Sequence, residues 1–491
     1  MVKPYFIEYF SDYILDTIPL NHALMHNIPS DNPQTLLSKR LFFGALAIGI
    51  VARIIVIFFE DFWLDELWSS SFSNPANSLE EVLKLTLSDV HPPLYQVLLY
   101  YWYQAFGFYE LSGRALSSAF GLVAIGGFHL LANSLYKKTT AQLATILFAL
   151  NSLAIIFCAE VRSYELLLML SIFSSYFFFE WALHKKQIAI IGYVLFSTLA
   201  IYTHYFGVIL LLCHGLLVLI YCLRTQNKEI LKQAVWVYLL LVLCFSPLLQ
   251  YAIGDALRPS FWIKQPSFGL LLVFLIVYFG GPAAPIFLTF LGFAAKEAKK
   301  HFSMIELLLL VGGLSVLFIP YLIGFISNPM VNPRNIIIGL PFWLLLSAFI
   351  ASFLSNKART AFIVFKMLVA IATTVLMPWY KGEQIDGLLK KVAASQQVLY
   401  IVNGGKLDTA EFMATKLAMN KKDYGNIELR IRNHHEPQEE NYWLICYHTC
   451  NEIDLNTWLP EHYTQLDEYH GRGIKGLQIH QQGVHAAEEK L

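Results

Sequence analysis

Charge is what this sequence has least of. Only 14% of its 491 residues are Asp, Glu, Lys or Arg, where a soluble domain carries roughly 25%, so a single water-soluble fold is excluded for most of the chain. No glycine-rich phosphate loop, Walker motif, metalloprotease helix or internal repeat occurs, which sets aside nucleotide hydrolases, zincins and solenoids. Net charge is absent too: 35 Lys plus Arg balance 35 Asp plus Glu, so nothing calls for nucleic acid or an acidic partner. Residues Met1 to Pro33 lack the basic start and small-residue cleavage site of a signal peptide. The stretch 1–40 is expected to be a cytoplasmic tail, with an amphipathic helix from Tyr5 to Ile18.

Apolar residues fill the space. They make up 56% of the chain, aromatics 15%, and many runs approach or exceed the ~18 to 20 residues that cross a hydrocarbon core. Read between polar breaks, eleven spans are expected near 41–59, 112–135, 140–158, 163–183, 188–203, 206–223, 234–253, 268–294, 305–326, 335–354 and 361–379. The segment from Pro92 to Phe106 is short, interrupted by polar residues and opened by a proline pair; it is expected to lie at the interface, not to span. The expected class is a polytopic α-helical membrane protein, with a transmembrane domain over 41–379 and an outer loop over 60–111.

Basic residues test this topology. With the N-terminus inside, the inner connections hold Lys39 and Arg40, Lys137 and Lys138, Lys185 and Lys186, Arg224, Lys228 and Lys232, Lys296, Lys299 and Lys300, and Lys357 and Arg359. The outer connections between Phe157 and Arg334 hold only Arg162, Arg258, Lys264 and Arg334. This asymmetry satisfies the positive-inside rule, and counting Pro92 to Phe106 as a span would invert it.

The same topology gathers Asp65, Glu66, His91, Glu160, Arg162, His204 and Arg334 on one outer face. Each alone also reads as a satisfied interfacial residue, or for Arg334 a snorkelling arginine. As a set of acids, bases and arginines beside a membrane they favour an active site. After Trp379 the composition turns soluble: Val398 to Val402, Ile427 to Ile431 and Tyr442 to Cys446 read as strands and Thr409 to Met419 as a helix. Residues 380–491 are therefore expected to form a small α/β domain on the outer side. Cys446 and Cys450 lie in it, where a disulfide is permitted; a metal site using His448 lacks the paired spacing of structural zinc.

One ordered set of motifs remains: Asp65-Glu66 in the first outer loop, HPPLYQVLLYYWYQAFG, LSGRALSSAFG, AEVRSYELLLML, YTHYFGVILLL and NPRNIIIGLPFWLLL, running from Asp61 to Leu354. The set resembles the GT-C glycosyltransferases, in the branch of the protein O-mannosyltransferases and the lipid A aminoarabinose transferases. The resemblance implies a GT-C fold and transfer of a sugar, with inversion, from a polyprenyl-phosphate donor to a glycolipid, polysaccharide or protein acceptor. It places this at the outer face of a membrane, expected to be a bacterial inner membrane. Asp65 matches the family's catalytic acid and is the expected base, with Glu66 beside it orienting the site or binding a cation.

For the rest, His91, Glu160, Arg162, Tyr164, His204, Tyr205 and Arg334 are the expected substrate contacts. Arg162 and Arg334 suit a lipid phosphate, because a guanidinium makes paired charge-assisted bonds. A divalent metal held by Glu66 and His204 is an expected cofactor. The rival class is a transporter or lipid flippase.

Overall fold

The computed structural model describes residues 37–58, 61–256, 263–381, 384–402, 409–432, 437, 439–447, 455–459, 462–471 and 474–481. The expected helix from Tyr5 to Ile18, and His448 and Cys450, lie outside these. The described chain is a helical bundle capped at one end by a mixed α/β unit.

The bundle opens with α1 (Lys39–Ile55), followed by a first loop that is itself helical: α2 (Leu64–Phe72), α3 (Leu79–Ser88) and α4 (Leu94–Phe106). Local signals set these helices. Ser78 Oγ accepts the Glu81 N–H while the Glu81 carboxylate accepts the Ser78 N–H, a capping box that starts α3. Pro92 and Pro93 precede α4, which ends at Gly107 with φ +97°; only glycine holds that conformation without strain. At 13 residues, α4 is too short to cross a bilayer.

Next come α5 (Glu110–Leu135), α6 (Lys138–Ala149), α7 (Ser152–Cys158), α8 (Tyr164–Ala182), α9 (Ala189–Thr203) and α10 (Phe206–Thr225). They are followed by α11 (Lys228–Phe245), α12 (Leu249–Ala256), α13 (Phe268–Tyr278), α14 (Ala284–Lys299), α15 (Met304–Ile323), α16 (Leu340–Ser352) and α17 (Asn356–Lys381). Small residues let the helices approach closely: a Cβ on Gly49 of α1 would lie 2.5 Å from the Ala149 carbonyl oxygen.

Among the described residues, eight helices are long and apolar enough to cross a membrane, or ten if each of two bent pairs is one span. The pairs are α6 with α7, bent by 50°, and α13 with the helix from Gly281 to Lys299, bent by 87°. The expected count was eleven. The difference is α9, an apolar helix of 15 residues, which at 1.5 Å per residue is about 22 Å long, less than a ~30 Å core.

In the C-terminal unit α18 (Ile385–Ser395), β1 (Val398–Val402), α19 (Thr409–Met419) and α20 (Lys421–Tyr424) lead into β2 (Leu429–Arg432), β3 (Asn441–Tyr447), β4 (Tyr463–Gly471) and β5 (Ile474–Gln481). The sheet order is β2-β1-β3-β5-β4. β1 is parallel to β2 and β3, the α19 crossover serving the first pair; β5 is antiparallel to β3 and β4. Cys446 is disulfide-bonded. Cys158, Cys213, Cys222 and Cys244, in or at the ends of the apolar helices, are free.

Candidate active site

The first turn of α2 carries two acids with opposite surroundings. Acids suit a helix N-terminus, and successive helical residues diverge by about 100°, so the two carboxylates leave the helix in different directions. Glu66 turns inward. Its Oε1 accepts from Arg114 Nε at 3.1 Å and the Val161 N–H at 3.0 Å; its Oε2 accepts from Arg114 Nη2 at 2.8 Å and the Trp63 N–H at 3.3 Å. Its side chain is 1% exposed. Asp65 is 28% exposed and faces a cavity of about 730 Å³ at this end of the bundle.

Across the chain, α2, the loop before α4 and the turns α7–α8, α9–α10 and α15–α16 converge on that cavity. Arg334 Nη1 donates to Asp65 Oδ2 at 2.8 Å, and its guanidinium stacks 4.4 Å over the Trp63 ring. Arg162 Nη1 donates to the Asp65 backbone carbonyl at 3.2 Å and to Ser69 Oγ at 3.1 Å. Burial works against the charge of Arg162, but Asp65, Tyr164 and Asp89 outweigh it and hold the guanidinium above its ordinary range. Its buried Nε has no hydrogen-bond partner among the described residues.

Two histidines complete the wall. Arg162 Nη2 lies 3.4 Å from His91 Nε2, and His91 Nδ1 lies 3.0 Å from Asp89 Oδ2. His91 Nδ1 is thus placed to donate to Asp89. Burial pushes the Asp89 carboxyl up, but the hydrogen bond and attraction of His91 outweigh it and leave it below the usual carboxylate range. The His204 ring sits edge-on to His91 at 5.4 Å. Burial first, then His91 and Arg162, hold His204 well below its ordinary value. Its Nδ1 accepts the Phe206 N–H at 3.1 Å, so the neutral ring carries its proton on Nε2.

Of the nine residues expected at the site, seven line the cavity: Asp65, His91, Arg162, Tyr164, His204, Tyr205 and Arg334. Glu66 and Glu160 are not among its lining residues. Glu160 is 2% exposed, and its backbone carbonyl accepts from Ser117 Oγ at 2.6 Å.

The expected metal pair does not fit a divalent cation. Glu66 commits both oxygens to hydrogen bonds, and the one His204 nitrogen that accepts is taken by a backbone N–H. Among the described residues no group of three His, Cys, Asp or Glu side chains is placed to hold a metal. Sequence reasoning passed over Asp89 and Arg114. Asp89 stands two residues before the His-Pro-Pro, and Arg114 is a charge at the head of an apolar span, itself a signal of buried pairing.

The bundle, the helical first loop and the capping α/β unit define a multi-pass membrane protein with the GT-C glycosyltransferase fold. Residues 90–251 match the family model described as dolichyl-phosphate-mannose-protein mannosyltransferase. Among solved structures, the chain is similar to ArnT from Cupriavidus metallidurans in the apo state, with 11% identity and a TM-score of 0.59, over 89% of this chain and 97% of that one. The same protein bound to undecaprenyl phosphate gives 13% identity and a TM-score of 0.58, over 90% and 98%. Comparison with curated proteins gave no significant match.

Proposed function

We propose that this chain is an inverting membrane glycosyltransferase, moving a sugar from a polyprenyl-phosphate donor to an acceptor hydroxyl or amine at the extracytoplasmic face. The observation that carries the reading is Asp65: the exposed one of two adjacent acids, held at the cavity wall with Arg334 on its carboxylate and Arg162 on its carbonyl.

In this reading Asp65 takes the acceptor proton as the acceptor atom attacks the anomeric carbon. The bond from that carbon to the phosphate oxygen breaks, and its electron pair leaves on the polyprenyl phosphate. Arg162 and Arg334 meet the departing charge, where preorganised donors are worth most. His204, neutral, adds a donor without adding charge. The apolar side of the cavity, with Phe206, Ile209, Phe245 and Ile323, suits the first isoprene units. The ArnT structure with undecaprenyl phosphate supports a donor of this chemistry.

One observation favours a transporter. Lys366, 1% exposed in α17, places its ammonium near Gly280 at the 87° bend, and intramembrane charge at a broken helix is a transporter feature. Transfer from radiolabelled polyprenyl-phosphate sugars to membrane extracts, native chain against Asp65→Asn, separates the two. Label should pass to acceptor with the native chain and not with the variant. Equal transfer by both would remove Asp65 from the chemistry, and no transfer from any donor would remove the enzyme reading.

A further inference from the structure

The junction between the bundle and the C-terminal unit is built on a buried cation that the reaction does not use. Lys416 of α19 has a fully buried side chain. Its ammonium bonds Glu110 Oε1, in the first turn of α5, and lies 2.9 Å from Asp386 Oδ1, in the first turn of α18. Asn420 Nδ2 donates to the same Glu110 oxygen at 2.8 Å. Asp61 closes the group: its Oδ2 accepts the Asp386 N–H at 3.1 Å, and the two carboxyl groups share a hydrogen bond. Three carboxyl groups beside one ammonium repel one another when all are charged, and the hydrogen bond between Asp61 and Asp386 forms only while one of the two is protonated.

Asp61 is four residues before Asp65. Its carbonyl accepts from Arg114 Nη2 at 3.0 Å, the guanidinium that also holds Glu66. Further along α2 the Trp68 ring meets Phe412 of α19 at 5.3 Å. The segment 61–68 is thus gripped from two sides, by Arg114 of the bundle and by α18 and α19 of the C-terminal unit. Asp65 projects from the middle of that grip.

We propose that Lys416 is a positioning residue for the site: through Glu110, Asp386 and Asp61 it makes the C-terminal unit a brace that fixes the segment 61–72, and with it the Asp65 carboxylate. The effect on turnover rests on the glycosyltransferase reading; the effect on the segment does not.

The brace is also sensitive to pH. Burial pushes Asp61 up to about 6, with Asp386 adding to the rise and Lys416 opposing it. Asp386 is held below the usual range, where the charge of Lys416 and the bonds from Asp61 and Lys416 outweigh its burial. Tyr424 and Lys390 also face Asp386, and Tyr469 faces both acids. A raised carboxyl stabilises the folded state while protonated, so the Asp61 contribution is lost as pH rises through about 6.

Hydrogen exchange on the full chain in detergent tests the proposal, beside binding of polyprenyl phosphate and the transfer assay. Lys416→Met should raise exchange of 61–72 by about tenfold. Transfer should fall about tenfold while polyprenyl-phosphate affinity stays within about twofold, and Lys416→Arg should restore both readouts. In the native chain the protection of 61–72, taken relative to the intrinsic exchange rate at each pH, should fall as pH rises through about 6, and Asp61→Asn, which keeps size and stays uncharged, should flatten that fall. Unchanged exchange of 61–72 in Lys416→Met overturns the proposal, as does an equal rise across 398–481, which would make Lys416 only a stabiliser of its own unit. Should Lys416→Met not fold, Glu110→Gln gives the same readouts with the lysine retained. Failure of the native chain to transfer any sugar would sink the enzyme reading and leave the exchange result to decide the brace.

Discussion

The two sides of α2 show how one short sequence serves two ends. On the inner side Glu66 is saturated: four hydrogen bonds from Arg114, Val161 and Trp63 leave its carboxylate nothing to offer a substrate. On the cavity side Asp65 bonds Arg334 through one carboxylate oxygen, has the charge of Arg162 close by, and keeps part of its surface open. The inner face spends its charge on holding shape, and the outer face keeps its charge available. Adjacency in sequence therefore says little about shared chemistry; exposure and partner count separate the two acids.

The largest effect that would sharpen this contrast is at Asp65. Asp65→Asn removes the base and should lower turnover by roughly 100-fold to 10,000-fold, while thermal unfolding stays within a degree or two of the native chain. Glu66→Gln should do the reverse. It takes from the buried Arg114 guanidinium the carboxylate charge that two of its nitrogens bond, a loss of about 3 to 5 kcal/mol, read as a large drop in unfolding temperature and in yield of folded protein. If Glu66→Gln unfolds like the native chain yet loses turnover as Asp65→Asn does, the division between the two faces is wrong.

A smaller effect is expected from the arginines. Arg162→Lys and Arg334→Lys keep charge but lose the planar fork, and each should weaken polyprenyl-phosphate binding by about tenfold with acceptor affinity little changed. Retention of native affinity in both variants would return the two residues to purely structural roles. Smallest of all is the response to chelation. Neither Glu66 nor His204 has a free donor for a cation, so removing divalent metal should alter transfer by less than about twofold; a large loss would show that the cavity recruits a metal through other groups.

Much of this was legible in the sequence, and the reasons differ by region. Apolar runs mark helices because lipid forces every backbone group to be satisfied internally, and each of the eleven expected spans coincides with a helix or a bent pair. α9 departs only in length, which hydropathy measures poorly. Five of the seven expected residues that line the cavity, Asp65, His91, Arg162, His204 and Arg334, stand out in the sequence because acids, histidines and arginines at the ends of spans contrast with an apolar background. The inner network was not legible: Glu66 meets Arg114 48 positions on and Val161 95 positions on, and no local pattern announces such pairs. In the C-terminal unit β1 and α19 fell where expected, whereas β4 and β5 were missed. β4 is an edge strand that is largely exposed, so its residues, YTQLDEYHG, show no clear apolar alternation.

The Glu66–Arg114 pair has a consequence for how the sequence can drift. Loss of Glu66 takes from the buried Arg114 the carboxylate that its Nε and Nη2 bond, and loss of Arg114 takes from the buried Glu66 its countercharge, so a lineage leaving this arrangement is expected to change both. Among relatives of this chain, positions 66 and 114 should vary together or not at all.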